Sequence, residues 1–448
     1  MSENPLPEKP SPSEHQRYLL QADQDSPRWA LAFFTIWSGQ ALSLLGSQLV
    51  QFALIWHLTK VTESAAVLAT ATLVGLLPQV VLGPIVGTLV DRWDRQRIML
   101  TADTLIAAAT LVLALFFALG RTEIWPIYLI MFLRSLGGGF HRPAMAASTS
   151  LMVPEEHLTR VQGANQTLQG ALNIISAPLG ALLLEVLPLQ GILALDVISA
   201  LFAVIPLLVI RIPQTPAESA LKTHTLLQGV WEDFQVGLKY ILDWRGLSIL
   251  ILMAIAINMI ITPSFSLLPL LVREHFGGGA VQLGWIESTF GIGSVLGGII
   301  LSGWGGFTKK IHTVLAGLFF EGAGLMLVGI APSDALSLAI AGVFILAVSL
   351  AVVNGPIIAM LQAVVDPGLQ GRVFSLVGSL TSLASPLGLI IAGPLAEITD
   401  VQTWFIVGGI IAALLGLGGF FIPSLLAIET NHQTSQRTPS TQEYQHGA

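Results

Sequence analysis

Five ionisable residues stand inside long apolar stretches of the chain: Asp103, Arg134, Asp196, Glu287 and Glu321. Such residues are costly in hydrocarbon, so each demands a function or a partner. The chemistry open to an isolated carboxyl there is proton exchange. Burial favours the neutral acid, and a change of surroundings lets it bind or release a proton. Arg134 begins about nine residues into its stretch, ~14 Å along a helix and close to the midplane of a ~30 Å hydrocarbon core. Glu321, near the middle of its stretch, and Glu287 are the leading carboxyl candidates of the second half of the chain; Asp103 and Asp196 are those of the first. For Asp103, ~8 Å from the start of its stretch, a structural pair with the arginines at 92–97 is the competing reading. Glu185 and His57 lie nearer stretch ends, and His57 beside Trp56 reads as an interfacial anchor. These scattered groups do not assemble an enzyme: there is no cysteine, the nine histidines show no HxxxH or HExxH spacing, and no GxxxxGK[ST] loop appears. No metal and no cofactor are expected.

Two polar stripes at helical spacing accompany the charges. Gln40, Ser43, Ser47 and Gln51 share one face, as do Gln162, Gln166, Gln169, Asn173 and Ser176. Ser375, Ser379 and Ser382 repeat the theme later in the chain, and Trp37 stands one turn before Gln40. We expect Trp37, Gln40, Ser43, Ser47, Gln51, Gln166, Gln169, Asn173 and Ser379 to line an aqueous cavity suited to a bulky amphiphile. Interhelical hydrogen bonding is the alternative role for the serines.

The elements that must position these residues are membrane helices. Of 448 residues, 53% are hydrophobic and 10% charged, against roughly 25% charged in soluble domains. Twelve apolar stretches recur, each near the ~20 residues that cross a bilayer as helix. The fold class is therefore all-α: twelve transmembrane helices in two six-helix bundles, 29–210 and 247–428. A linker at 211–246 divides them, and tails at 1–28 and 429–448 flank them. The first 28 residues lack the basic-then-apolar layout of a cleaved signal peptide. On this threading sixteen of the twenty Lys and Arg fall on the face that carries both termini, and only Lys60, Arg121 and Arg273 on the other. The positive-inside bias makes the basic face cytoplasmic, in a multi-pass protein of the cell (inner) membrane. The basic residues form no patch for nucleic acid, and a monomer is expected. Within the linker, Leu227, Val230, Trp231, Phe234, Leu238, Ile241 and Leu242 share one helical face. That helix would lie on the membrane surface or pack on the chain's own helix ends.

The halves also resemble each other. VPEEHLTRV at 153–161 precedes SAPLG, and VDPGLQGRV at 365–373 precedes ASPLG. An offset of 212 maps Arg160 onto Arg372 and Arg97 onto Lys309. Parallel repeats of this kind characterise transporters whose halves rock about a central site.

Charge concentrates in GTLVDRWDRQR, residues 87–97, between the second and third stretches. The joint reads as a latch of Gly87, Asp91, Arg92, Arg95 and Arg97. Asp91 would face a helix N-terminus, where the dipole favours a carboxylate, and Gly83 and Gly87 would admit a neighbouring helix. Ordinary positive-inside flanks are the plainer reading of the arginines. The stretch resembles the GxxxDRxGRR signature of the major facilitator superfamily, departing at Asp94, where the family has Gly. FFTIWSGQALSLLGSQLVQFALIWHLT, FLRSLGGGFHRPAM, LMVPEEHLTRVQGANQTLQ and GRVFSLVGSLTSLASPLGLI are similar to its bacterial macrolide-efflux branch. RSLGG at Arg134 resembles the arginine motif by which proton-coupled members control nearby carboxylates, and APLGA at 177–181 resembles a shortened antiporter bend. The resemblance implies exchange of protons for a small amphiphilic, macrolide-like compound by alternating access. The competing expectation is a carrier of another amphiphile, such as a siderophore or lipid, without proton coupling.

Overall fold

A helix satisfies its own backbone hydrogen bonds, which hydrocarbon requires of any lipid-exposed segment. The computed structural model of the chain describes residues 29–121, 123–214, 235–365 and 369–429, and twelve long helices account for most of them. They are α1 (Trp29–Thr62), α2 (Ala65–Arg92), α3 (Arg95–Ala118), α4 (Ile124–Met152), α5 (Glu155–Val186) and α6 (Leu189–Val209) in the first half. In the second half come α7 (Arg245–Glu274), α8 (Ala280–Trp304), α9 (Lys310–Ile330), α10 (Leu336–Val364), α11 (Gln370–Ile398) and α12 (Val401–Gly419), then a single turn, α13 (Pro423–Leu426). Eleven of them are long and apolar enough to cross a membrane. The remaining one, α4, carries Arg134, His141 and Arg142 along its length.

The repeat shows in where five helix pairs end. Thr62 and Glu274, Arg92 and Trp304, Ala118 and Ile330, Met152 and Val364, and Val186 and Ile398 end paired helices 212 residues apart.

The chain divides into two compact units. The first contains Met1–Val50, Val81–Gln169 and Pro188–Ser219, so it holds the opening of α1, the end of α2, all of α3, α4 and α6, and the opening of α5. Its apolar core joins Phe33 and Ile36 of α1, Val86 and Val90 of α2, Ile98 and Met99 of α3, Ala144 and Met152 of α4, and Leu207 of α6. Helix α1 meets α6 at two glycines. A Cβ on Gly39 would overlap the Phe202 carbonyl, and one on Gly46 would overlap Ser199 and press on Asp196. Gly83 does not play the expected close-packing part, because space around its Cβ position is open. Gly87 and Asp91 lie in α2, but their side chains fall outside the described residues.

Asp94 shows why this chain departs from glycine at the sharp turn before α3. Its side chain accepts from the Arg97 backbone N–H at 3.0 Å and caps the helix, a role worth roughly 1 kcal/mol. Gln96 Nε2 then donates to the Leu207 carbonyl near the end of α6, while its Oε1 accepts from Ile212 N–H at 3.0 Å.

The second unit contains Gln51–Val80, Gly170–Leu187 and Ala220–Ala448. Leu247, Leu250, Ile311, Val314, Leu318, Val353, Met360 and Leu376 belong to its core. Residues 235–243 of the linker are helical, with Ile241 buried in this core and Leu238 packed against it. They therefore pack on the chain's own helices, while Leu242 on the same stretch stays exposed. Residues 227, 230, 231 and 234 of the expected apolar face lie outside the described residues. In this unit the turn after α1, the opening of α2 and the later part of α5 bond to second-half helices. Glu63 pairs with Arg273 at 2.7 Å, Glu397 accepts from Ser64 and from the Ala66 N–H, and Ser288 donates to the Ile174 carbonyl at 2.6 Å.

Candidate functional site

Three helices of the first unit each contribute two polar residues seven positions apart: Gln40 and Ser47 on α1, Asp103 and Thr110 on α3, Arg134 and His141 on α4. Seven residues are nearly two helical turns, so each pair lies on one face with its members ~10 Å apart along the axis. Because α4 runs opposite to α1 and α3, the six side chains sort into two layers.

The deeper layer centres on Arg134. Its Nη1 donates to Asp196 Oδ2 of α6 and to Thr110 Oγ1, and its Nη2 donates to the Ser47 carbonyl at 3.3 Å. Ser47 Oγ donates to Asp196 Oδ1 at 3.2 Å, and Thr110 Oγ1 lies 3.1 Å from Asp196 Oδ2. The Arg134 and Asp196 side chains are 9% and 2% exposed, so the ion pair stands apart from bulk water. Charge balance and three acceptors on the guanidinium make that burial tolerable. Gly46 leaves room for it, since a Cβ there would overlap Ser199 Oγ and press on Asp196.

The second layer lies nearer the start of α1. Gln40 Nε2 donates to Asp103 Oδ2 at 2.8 Å, and His141 Nε2 stands 3.3 Å from Asp103 Oδ1. All three residues are buried. Asp103 thus meets Gln40 and His141, not the arginines at 92–97 that were its competing partners. Arg97 is largely exposed and reaches Asp94 at 3.6 Å, Arg92 is exposed, and Arg95 is buried at the start of α3.

The remaining expected residues are dispersed. Gln40 and Ser47 bond to the two aspartates and so belong to these layers. Ser43 is half-buried and Gln51 exposed. Along α5, Gln162, Gln166, Gln169 and Asn173 are exposed and Ser176 is buried. Trp37 Nε1 donates to Asn165 Oδ1 at 2.7 Å and holds the indole beside that amide run. Ser379 is half-buried in α11. Glu287 is half-buried on the α8 face whose Gly284 and Gly291 approach α5 at 173–178. Glu321 is fully buried in α9, and neither carboxyl oxygen has a hydrogen-bond partner among the described residues. Arg134, Asp103 and Asp196 therefore come together in one unit, and Glu287 and Glu321 join neither layer. Sequence reasoning missed Thr110 and His141. The seven-residue pairing on three helices was the signal that carried them.

The chain matches the family model described as a transmembrane secretion effector over residues 25–445. It is 36% identical over 381 residues to macrolide efflux protein A of Streptococcus pyogenes, covering 85% of this chain and 93% of that protein. The chain belongs to the major facilitator superfamily. Within it the similarity is to the macrolide-efflux branch, and these are membrane transporters, not enzymes. The macrolide efflux protein A of Enterococcus faecalis is 35% identical over 72% of this chain and 99% of its own length. The multidrug efflux pump Tap of Mycolicibacterium fortuitum is 26% identical over 86% of this chain and 94% of its own. Among solved structures, a bacterial homologue of the iron transporter ferroportin aligns with a TM-score of 0.67 at 15% identity, covering 87% of this chain and 98% of that one. A bacterial homologue of the lysosomal transporter Spinster aligns at 0.66 and 13% identity, over 93% and 100%. At these identities the structures support the fold alone.

Proposed function

We propose that this multi-pass transporter exports a macrolide-like amphiphile in exchange for protons, by alternating access, with its basic face in the cytoplasm. The buried Arg134–Asp196 pair carries the proton-coupled part of the reading. Protonating Asp196 removes one charge from the pair and leaves Arg134 to Thr110 and the Ser47 carbonyl. Asp196 also binds Ser47 Oγ, so its protonation changes a contact between α6 and α1 as well as one between α6 and α4. One proton is thereby converted into altered helix contacts. The substrate surface is the exposed amide run of α5, with Trp37 beside it. Neutral amides and an aromatic plane suit a large amphiphile, whose apolar body they meet without charge. The names of the similar efflux proteins support the substrate class.

The test uses everted membrane vesicles holding the full-length chain, radiolabelled erythromycin and an imposed pH gradient. The reading expects uphill uptake that a protonophore abolishes. Asp196→Asn is expected to keep substrate exchange and lose uphill transport. Uptake indifferent to the gradient, with an unaltered Asp196→Asn variant, would replace the antiporter with a passive carrier.

A further inference from the structure

We infer that Asp103 and His141 form a second proton-binding site, separate from the Arg134–Asp196 pair and nearer the basic face. The inference rests on the proton-coupled reading above and extends it. Three observations carry it. His141 is 7% and Asp103 6% exposed, so both polar groups are withdrawn from water. His141 Nε2 makes no hydrogen bond among the described residues, although it stands 3.3 Å from Asp103 Oδ1. Asp103 is already held on its other oxygen by Gln40 at 2.8 Å, which leaves Oδ1 turned toward the ring.

An imidazole can hold one proton or two, and the change falls within the physiological pH range for an ordinary histidine. A second proton gives the ring a positive charge and two donors. A small rotation then converts the 3.3 Å approach into a charge-assisted hydrogen bond between α4 and α3. The proton comes from solution on the basic side, and deprotonation returns it there. Asp103 is the titratable group that α3 sets against the ring, with the buried Arg95 about two turns away. Helix α1 presents the neutral Gln40, and α4 itself carries the exposed Arg142 and, seven residues deeper, Arg134. On α6 the position seven residues after Asp196 is Ala203, which carries no charge and packs beside Gly39 of α1.

The experiment measures initial rates of erythromycin uptake in everted vesicles at a fixed pH difference while the absolute pH is varied. The wild type is expected to depend on two proton-binding groups. His141→Gln should lose one of them, leaving a profile that follows a single proton-binding group, and Asp103→Asn should lose the same one. A His141→Gln profile that overlays the wild type overturns the inference. Proton uptake by the purified protein between about pH 5 and 8 provides a second readout. It should fall by about one proton in His141→Asn, and an unchanged uptake also overturns the site. Because that measurement needs no transport, it separates failure of this site from failure of the antiport reading.

Discussion

Five helix pairs of the two halves end at matching residues, yet their cores are built from different chemistry. Displaced by 212, the positions of Asp103, Thr110, Arg134, His141 and Asp196 become Leu315, Gly322, Leu346, Val353 and Gly408. Leu315, Leu346 and Val353 are buried at 0%, 2% and 4% exposure. A Cβ on Gly322 would overlap the Ala413 nitrogen and the Gly409 carbonyl, and one on Gly324 would crowd the Gly342 carbonyl and Leu346. Where the first half joins α3, α4 and α6 through an arginine and two aspartates, the second joins α9, α10 and α12 by backbone-to-backbone approach. A charged joint has a low-cost alternative state, reached by moving a proton. A glycine joint has none, because its contacts are lost only by separating the helices.

The largest expected effect breaks the charged joint. Replacing Arg134 by leucine, its counterpart in the second half, leaves Asp196 buried without its cation, and breaking a buried pair in this way costs about 3–5 kcal/mol. Thermal unfolding in detergent should show a large drop, and uphill export should vanish. The double change Arg134→Leu with Asp196→Leu removes both charges, and most of the lost stability is expected to return while export stays absent. Stability that fails to recover would mean that the pair serves assembly beyond its own charges.

A smaller effect is expected at the glycine joint. Gly322→Ala adds a methyl where α12 backbone already stands, and overpacking of this sort costs about 1–3 kcal/mol. Because the neighbours are backbone atoms, the helices must part to admit it. Melting temperature should fall, whereas the pH dependence of export should keep its wild-type shape. A shifted pH profile in this variant would show that the glycine joint takes part in coupling.

Smaller still is the expected effect at the end of α11. Glu397 accepts from Ser64 and the Ala66 N–H, and so caps α2 from a second-half helix. Glu397→Ala removes that cap at about 1 kcal/mol. If this seam must part for substrate to leave, a cysteine placed at Val67 should become more reactive to an impermeant maleimide in the variant. Unchanged labelling would take the cap out of the transport cycle.

Much of this architecture was legible in the sequence because hydrocarbon leaves few choices. Apolar stretches of sufficient length must be helices, and a repeat that aligns Arg160 with Arg372 fixes the pairing of helices. Arg134, Asp103 and Asp196 announced themselves by being charged inside such stretches. Their partners were harder to read. Thr110 and His141 carry no such cost, and a neutral hydroxyl or imidazole in a membrane helix has many harmless explanations. Gln40 and Ser47 were visible as a stripe, but a stripe records only a shared face. Whether that face meets water or an aspartate depends on how α1 is rotated, and rotation is set by Gly39 and Gly46 against α6. The Asp94 departure from the family turn likewise acquired a reason only when its cap on Arg97 N–H was seen.

Glu321 is the sharpest test of the contrast between halves, because it is a lone carboxyl placed inside the glycine-packed core. It lies one residue before Gly322, between Gly317, which approaches Ser349 and Val353 of α10, and Gly324, which approaches Gly342 and Leu346. It is 0% exposed and has no hydrogen-bond partner among the described residues. An orphaned polar group of this kind costs about 1–3 kcal/mol relative to an apolar one of the same shape. If Glu321 only fills space, Glu321→Leu should raise the melting temperature slightly or leave it unchanged, and uphill export should persist at the wild-type pH optimum. If the residue exchanges protons during transport, the same variant should be more stable yet poorly coupled. Stability gained at the expense of coupling would place a second charged element in the second half, and the division between a charged core and a packed one would have to be abandoned.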